Sequence, residues 1–432
     1  MTDKIIALVS KYSGTSAEQI NESTNLLHDL RMESMNFIDM VCEFEEAFAC
    51  KIPERDFRKF ITIKKIVIYM GEKQTSTLTK SEKESPQAGD LLGEDTGLEL
   101  IKSRCLISPI TRKLTEKVPA LVEAVYGTGY ASRYLYEPDK FWCKIEKGEV
   151  YPYIALNAEG KAAGMISLIK LSPNSSAFEL GQLMVAPQYR GTDVAKLLIS
   201  CISNQELKIG VIYSESVTSH KYSQRSCIAG GFADTALKLN IAHSHGEGHG
   251  EATQNTAERI SCVCSCIERG ETKLWCYLPA QYEEQVQFAF SDLPPLTKRQ
   301  FRKASDIAPN NPTVFIFADG ELETSGYVLA TFMEVGADAP QAVAQLESKY
   351  EQSGKLRSLC VNVPLACPHN AAAVAALKGR GFIYGGVMPR WYPDSDGLLM
   401  QKLYDNDINW ETTKLFSEKI IKIAESIKND RV

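Results

Sequence analysis

The chain has no apolar run approaching the ~20 residues that a membrane span needs. Its opening Met-Thr-Asp-Lys lacks the charged-then-apolar layout of a secretory signal. A basic excess is also missing. Lys and Arg number 48 against 54 Asp and Glu, for a net charge of −6, which argues against wholesale nucleic-acid binding. Dense cysteine spacing is absent too: twelve cysteines are scattered over 432 residues. Reduced thiols in a cytoplasmic setting are therefore expected, with neither membrane nor nucleic acid as a partner. What is present is an ordinary soluble composition, 44% hydrophobic and 24% charged, over a length that suits about three domains.

The most informative stretch is Phe178 to Ile199. Leu180 to Val185 is short and apolar and predicts a buried strand, which Pro187 ends because it cannot donate to a ladder. Arg190-Gly191 turns the chain, and Val194, Leu197 and Leu198 recur at helical spacing. Strand, small-residue turn and helix N-terminus together make a phosphate cradle of backbone N–H groups. An ordinary turn capped by Thr192 or Asp193 is the plainer alternative.

Arg190-Gly191-Thr192-Asp193-Val194-Ala195, with Pro187 upstream, resembles the acyl-CoA-binding motif of the GNAT acyltransferases, Arg/Gln-x-x-Gly-x-Gly/Ala. Asp193 departs from it, since the family has glycine there. The resemblance implies cofactor contacts from Met184, Val185, Arg190, Gly191, Thr192, Asp193, Val194 and Ala195. A carboxylate in the cradle repels the diphosphate and 3′-phosphate of CoA more than the single phosphodiester of a carrier-bound arm. The donor is thus expected to be a carrier arm as much as acyl-CoA or acetyl-CoA.

Upstream, residues 1–73 form a first predicted domain. Ile5, Ile6, Leu8 and Val9 begin a helical face, and Asn21 to Asn25 is loop chemistry. Phe37, Met40, Val41, Phe44 and Phe48 then mark one buried helix face starting after Ser34, a good N-cap. Asp29-Leu30, Glu33-Ser34-Met35, the acidic helix, Lys51-Ile52-Pro53 and a short helix from Ile63 resemble an acyl carrier protein. That family's motif is Asp-Ser-Leu, so Glu33 and Met35 are conservative departures. The resemblance implies that Ser34 carries 4′-phosphopantetheine, installed by a phosphopantetheinyl transferase. Between Asp29 and Glu46 six acids face Arg31 alone. That charge suits acyl-loading or biosynthetic enzymes docking on the helix through basic surfaces, and it equally suits a solvated face.

Residues 74–97 are Ser, Thr, Lys, Glu and Gly with a Pro and little apolar periodicity, and read as a flexible linker. Such a tether has a root-mean-square reach of roughly 25–30 Å. It raises the effective concentration of the carried group at the next domain.

Residues 98–300 are expected to form the GNAT acyltransferase domain. The pattern predicts a strand from Leu98, a helix over Lys113–Val125, strands at Val150–Ala155 and Ala162–Leu171 about the Asn157–Gly160 turn, and a strand over Lys208–Ser214. The Tyr- and Gly-rich loop Tyr126–Tyr136 suits an acceptor-pocket wall or a packed cap. Ser219 to Phe232 resembles the GNAT helix that ends in Gly-Phe. At the position of the family's tyrosine general acid it has Cys227, as a proton donor or as a buried structural cysteine. Glu179 matches the place of a general base in some members, or is simply a strand-end glutamate. His243, His245 and His249, with Cys262, Cys264 and Cys266, have metal-ligand residue types. The cysteines, however, alternate as strand residues sharing one packed face, and no metal is expected.

Residues 301–432 are expected to form a second, degenerate GNAT-like domain. Pro312–Asp319 and Gly326–Glu334 read as paired strands and Leu359–Pro364 as another. Asn370, Ala373, Leu377 and Gly381-Phe382 repeat the Gly-Phe helix pattern, with leucine for tyrosine. The phosphate turn is missing, replaced by Gly336-Ala-Asp-Ala-Pro-Gln341. Trp410–Ile427 has helical periodicity. The expected fold is multidomain: an all-α four-helix carrier followed by two α/β GNAT-like domains with mixed central sheets flanked by helices. The expected function is acyl transfer from a thioester to a small amine. The alternatives are loading of the carrier thiol from acyl-CoA, and a non-catalytic carrier or scaffold.

Overall fold

The computed structural model describes residues 1–26, 29–30, 40–41, 43–45, 47–50, 52, 59–60, 62–77, 103–130, 132–171, 174–189, 192–203, 209–243, 259–404 and 408–431. Ser34, Arg190, Gly191, linker residues 78–97 and residues 244–249 of the histidine segment lie outside this set. The chain divides into two compact units, Met1–Glu99 with His220–Ser226, and Leu100–Ser219 with Cys227–Val432.

The first unit is helical. Helix α1 (Thr2–Ser13) buries Ile5 and Val9, one turn apart, and ends at Gly14 with φ 69°, whose N–H donates to Ser10 O at 3.0 Å. Helix α2 (Ile63–Thr77) buries Ile63, Ile66, Tyr69 and Met70 against the same core. Of the face expected between them, Met40, Val41 and Phe44 are fully buried and Phe48 is half-buried, while Phe37 lies outside the described residues. Phe60 stands between Phe44 and Tyr69, with ring centroids 6.0 and 5.2 Å away. Glu45 is buried and its carboxylate is used: it accepts from Ile52 N–H at 2.6 Å and from Arg225 at 3.2 Å. Helix α2 continues to Thr77, past the expected domain end at residue 73.

The described strands of the second unit form a large sheet and a separate small one. In chain order its strands are β1 (Leu106–Pro109), β2 (Val150–Leu156), β3 (Ala162–Lys170), β4 (Ala177–Val185), β5 (Val211–Val217), β6 (Ala233–His243) and β7 (Arg259–Glu268). After them come β8 (Thr272–Leu278), β9 (Thr297–Lys303), β10 (Val314–Ala318), β11 (Tyr327–Glu334), β12 (Ser358–Pro364), β13 (Ile383–Met388) and β14 (Gly397–Leu403). Twelve strands join in the order β1-β2-β3-β4-β5-β7-β6-β13-β14-β12-β11-β10, while β8 and β9 pair in parallel by themselves. Within the large sheet only β4–β5 and β11–β12 are parallel. The sequence β3-β4-β5-β7-β6 is therefore mirrored by β10-β11-β12-β14-β13. The mixed, twice-repeated sheet is the one that the GNAT resemblance implies.

The connecting helices follow the same repeat. They are α3 (Val118–Tyr126), α4 (Pro138–Glu146), α5 (Val194–Ser203), α6 (Tyr222–Ala229), α7 (Glu283–Phe290), α8 (Leu322–Ser325), α9 (Ala339–Glu351), α10 (Asn370–Lys378) and α11 (Glu418–Asn429). α6 leads from β5 to β6, and α10 leads from β12 to β13. Gly231 (φ 82°) and Gly381 (φ 84°) end them in the left-handed region. Phe232 N–H donates to Cys227 O at 3.0 Å, and Phe382 N–H donates to Leu377 O at 3.1 Å. Cys227 and Leu377 are thus equivalent positions of the repeat.

The two halves meet where β6 pairs antiparallel with β13, at Ala236 and Gly386. A Cβ on Gly386, whose φ is 122°, would stand 2.4 Å from Ala236 Cα, so glycine is required. Gln401 stitches the seam: its amide accepts from Leu239 N–H at 2.8 Å and donates to Leu237 O at 2.9 Å. Ser358 Oγ donates to Leu239 O at 2.9 Å. A continuous apolar core runs from Leu237 and Val263 to Leu346 and Ile423.

Several expected bounds differ. The division between residues 300 and 301 falls inside β9, and Cys276, Leu278 and Tyr282 already pack in the core of the second half. The helix expected over Lys113–Val125 is a 3₁₀ turn to Lys117 followed by α3, because Pro119 restarts the helix. The final helix starts at Glu418 rather than Trp410, where Ser417 Oγ accepts from Ile420 N–H.

Candidate active site

The site starts from a departure in the sheet. β4 and β5 pair only over Ala177↔Val211, Phe178↔Ile212 and Glu179↔Tyr213. Beyond that point β4 runs on to Val185 and β5 to Val217, and the two parallel strands diverge. The bend has a local cause. Gln182 takes φ 56°, and the β3–β4 register slips between Met165 and Ser167. Gln182 is buried, and its amide nitrogen reaches Tyr134 Oη and, at 3.4 Å, Ser132 Oγ.

Glu179 sits at the apex of this opening, half-buried. Its carboxyl is pushed up from 4.5 to about 7, by burial first and then by the charge of Glu215, with Lys238 opposing and Glu321 adding. Register puts Glu179, Tyr213 and Glu215 on one face of the sheet, with Cys262, Cys264 and Cys266 of β7 beside them. Lys238 enters that face from β6 and closes on Glu215 Oε1. Burial by itself would lower the lysine, but Glu215 holds it well above its ordinary value, so it stays charged. Glu321, in the second half, is exposed and also raised, by desolvation first and Glu215 next.

The cradle stretch folds as strand, 3₁₀ turn (Pro187–Tyr189) and helix α5. Met184 and Val194 are buried in the core, Val185 and Ala195 are half-buried, and Arg190 and Gly191 lie outside the described residues. Thr192 Oγ1 donates to Tyr189 O at 2.6 Å. Asp193 does not stand idle at the helix start: its Oδ1 accepts from Ser103 N–H at 2.9 Å. The strand and helix approach closely because residue 164 is glycine, where a Cβ would stand 2.7 Å from Met184 O.

In the second half the corresponding turn is closed off. Asp338, at the start of α9, accepts from Thr313 N–H at 2.8 Å, and a Cβ on Gly336 would collide with Asn311 O at 1.8 Å. The parallel ladder of β11 and β12 ends at Thr331↔Asn362. There Trp391 donates to Thr331 Oγ1 at 3.3 Å and Tyr392 to Asn362 O at 3.0 Å. Two aromatic side chains cap the end of this ladder, and Trp391 also packs on Tyr213 of β5 at a ring-centroid distance of 5.9 Å.

The two residues expected to be catalytic are not brought together. Cys227 Sγ donates to Ser214 Oγ at 3.2 Å and lies 3.5 Å from Ser216 Oγ. Those serines alternate with Tyr213 and Glu215, so they leave β5 on the face opposite Glu179. Burial pushes the Cys227 thiol up, against the two serine hydrogen bonds, which keeps it protonated. The described residues of the Tyr126–Tyr136 loop pack against one another as a cap. Tyr126 and Tyr130 stack at 4.6 Å and Tyr136 Oη donates to Gly127 O at 2.7 Å, while Glu179 raises both Tyr130 and Tyr134, secondary to their burial.

Sequence reasoning missed Glu215, Lys238 and Glu321. For the first two a signal existed, a charged residue on the inward alternation of an otherwise apolar strand. Among the described residues no grouping of three or more His, Cys, Asp or Glu could hold a metal ion. None of the described helices is long and apolar enough to cross a membrane.

A helical unit ahead of a twice-repeated mixed sheet, each half carrying a parallel strand pair and a Gly-Phe helix, is the architecture that the carrier and GNAT resemblances imply. Residues 3–70 match the family model described as "Phosphopantetheine attachment site". The acyl carrier protein of Thermotoga maritima is 31% identical over 70 residues, 16% of this chain and 86% of that protein. The acyl carrier protein of Chlamydia muridarum is 28% identical over 74 residues, 17% of this chain and 96% of that protein. Through these N-terminal residues the chain belongs to the acyl carrier protein family. Among solved structures, a ribosomal-protein-S5-alanine acetyltransferase from Vibrio fischeri aligns with a TM-score of 0.31 and 11% identity, covering 38% of this chain and 93% of that one. An N-acetyltransferase from Staphylococcus aureus Mu50 aligns with a TM-score of 0.31 and 11% identity, over 38% and 99%.

Proposed function

We propose that this protein transfers an acyl group from a thioester to an amine, with the thioester carried on the phosphopantetheine arm of Ser34. The observation that carries the reading is the divergence of β4 and β5 at Glu179. An extended pantetheine arm suits such a gap, because its amides can pair with strand backbone as an added strand does. Phosphopantetheine, when bound, supplies the thiol that holds the acyl group. The chain's own residues supply the rest. Glu179, pushed up to about 7, is matched to removing a proton from an ammonium group near neutral pH. The freed amine forms the new C–N bond at the acyl carbonyl, the C–S bond breaks, and the departing thiolate takes up a proton. Cys227 is left with a packing role in this account.

Asp193 favours the carrier arm over free CoA as donor. Its carboxylate is fixed at the start of α5 through Ser103, where the phosphates of CoA would meet a like charge. The test is intact mass and product analysis. The chain is treated with a phosphopantetheinyl transferase and acetyl-CoA, which installs the acetylated arm, and an amine is then added. An adduct that is lost in Ser34→Ala, and whose acetyl group moves to the amine, is expected. No adduct removes the carrier part of the reading, and an adduct that keeps its acetyl group removes the transferase part.

A further inference from the structure

The helical unit is completed by a segment from much later in the chain, His220–Ser226. It reads His-Lys-Tyr-Ser-Gln-Arg-Ser and leads into helix α6. Tyr222 is its one aromatic residue and it has no aliphatic one, so it cannot dock through an apolar patch. Its charges are Lys221 and Arg225, with no acid. The carrier stretch from Asp29 to Glu46 holds six acids and Arg31 alone. The two are complementary in sign.

The contact itself is a closed ring of hydrogen bonds. Arg225 donates from Nη1 to Glu45 Oε2 at 3.2 Å and from Nη2 to Ile52 O at 2.7 Å. Glu45 Oε1 in turn accepts from Ile52 N–H at 2.6 Å. One guanidinium thus reads a carboxylate of the acidic stretch and the backbone at Ile52 together. The Arg225 side chain is 11% exposed and that of Glu45 6%, so neither is a solvated surface charge. His220 and Gln224 of the same segment are buried as well. Buried ion pairs add little net stability, and what they confer instead is register and the capacity to switch. A permanent join would be served better by an apolar residue at position 225.

We propose that Arg225 is a latch for the chain's own carrier: it holds Glu45 and Ile52 against the start of α6, and its opening frees Glu45 for the enzyme that installs phosphopantetheine. That enzyme docks on the same acidic stretch, and a carboxylate bonded to Arg225 is not available to it. A latch made of one guanidinium suits a tethered carrier. The linker read from the sequence keeps the local concentration high, so a weak and reversible contact is enough. The inference rests on the carrier identity of residues 3–70 and not on acyl transfer.

Hydrogen exchange of the full chain, read on the peptides that contain Ile52 and Gln224, measures how often the latch opens. Arg225→Met and Glu45→Gln should each speed exchange in both peptides about tenfold, and the double variant no more than either, because one contact is lost in all three. Glutamine at 45 still offers an oxygen to Ile52 N–H, and unchanged exchange around Ile5 and Val9 shows that the carrier core stays folded. Unchanged rates in the single variants, or additive gains in the double, overturn the latch. Dilution over about two orders of magnitude should leave the parent's rates alone. Exchange that slows at high concentration assigns the contact to a second copy's carrier and overturns the proposal. With a phosphopantetheinyl transferase and CoA, Arg225→Met should be modified several-fold faster than the parent. Equal modification rates overturn the competition between latch and enzyme. Acyl transfer enters none of these readouts, so its absence would remove the transferase reading and leave the latch standing.

Discussion

Lys238 of β6 reaches Glu215 of β5 across the intervening strand β7, passing between Cys262 and Cys264. The ion pair lies on the face of the sheet that holds Glu179, and Lys238 is the group that holds Glu179 down against its burial. One contact therefore links the stability of the first half of the sheet to the acidity of the candidate base.

Removing the lysine tests that link. Lys238→Met leaves Glu215 without its partner, and breaking a buried pair costs ~3–5 kcal/mol. Glu215 is a quarter exposed, so about 2–3 kcal/mol is expected here after discounting for solvent. The double variant Lys238→Met, Glu215→Gln should recover most of it in a denaturant melt. Full additivity of the two losses would show that the pair is not coupled. In the single variant the acid limb of the rate profile should also move to higher pH, because the charge that lowered Glu179 is gone.

The Glu179 carboxyl itself gives a signed prediction. Folding raises it from 4.5 to about 7, so between those values the folded chain binds a proton that the unfolded chain has lost. Stability from this group is present at low pH and is lost as pH rises towards 7. Glu179→Gln, which stays neutral, should be more stable than the parent at pH 8 and nearly equal to it at pH 5. Melting temperatures across that range check this. Acyl transfer should lose its limb near pH 7 in the same variant, and a limb that persists would assign the base elsewhere.

Asp193 sets the donor preference. Asp193→Gly removes a negative charge from the start of α5, and CoA affinity should rise about tenfold at low ionic strength, with less gain in high salt. The variant also gives up the hydrogen bond from Ser103 N–H, at a cost of about 1–2 kcal/mol in stability. Equal affinity for CoA in the parent and the variant would mean that the carboxylate does not face the phosphates.

How much of this was legible in the sequence follows the range of the contacts. The hairpin about Asn157–Gly160, the strand–turn–helix at Pro187 and both Gly-Phe helices were read from residues a few positions apart, where turn chemistry and periodicity act. So was the single packed face of Cys262, Cys264 and Cys266. The charged cluster was not. Glu179, Glu215 and Lys238 come from three strands far apart in the chain, and only the strand order brings them to one face. The opposite placement of Cys227 needed the parity of β5, which depends on where that strand starts. The boundary at residue 300 failed for a related reason. β8 and β9 pair with each other, yet their core residues belong to the second half, and no linker composition marks the change.

The seam offers the sharpest test of the shared sheet. Gly386 has φ 122° and sits against Ala236, so alanine there meets both a forbidden backbone region and a 2.4 Å contact with Ala236 Cα. Relief requires β13 to move away from β6, which would also pull Gln401 from Leu237 and Leu239. Gly386→Ala should cost at least ~3 kcal/mol. Gly354→Ala is the control. It shares a positive φ, 66°, but has nothing within 4 Å of the added methyl, so only the backbone term of ~1 kcal/mol applies. If the two variants melt together, the halves are not locked through β6 and β13. If Gly386→Ala alone unfolds early, the β6–β13 pairing holds the two halves together as one cooperative sheet.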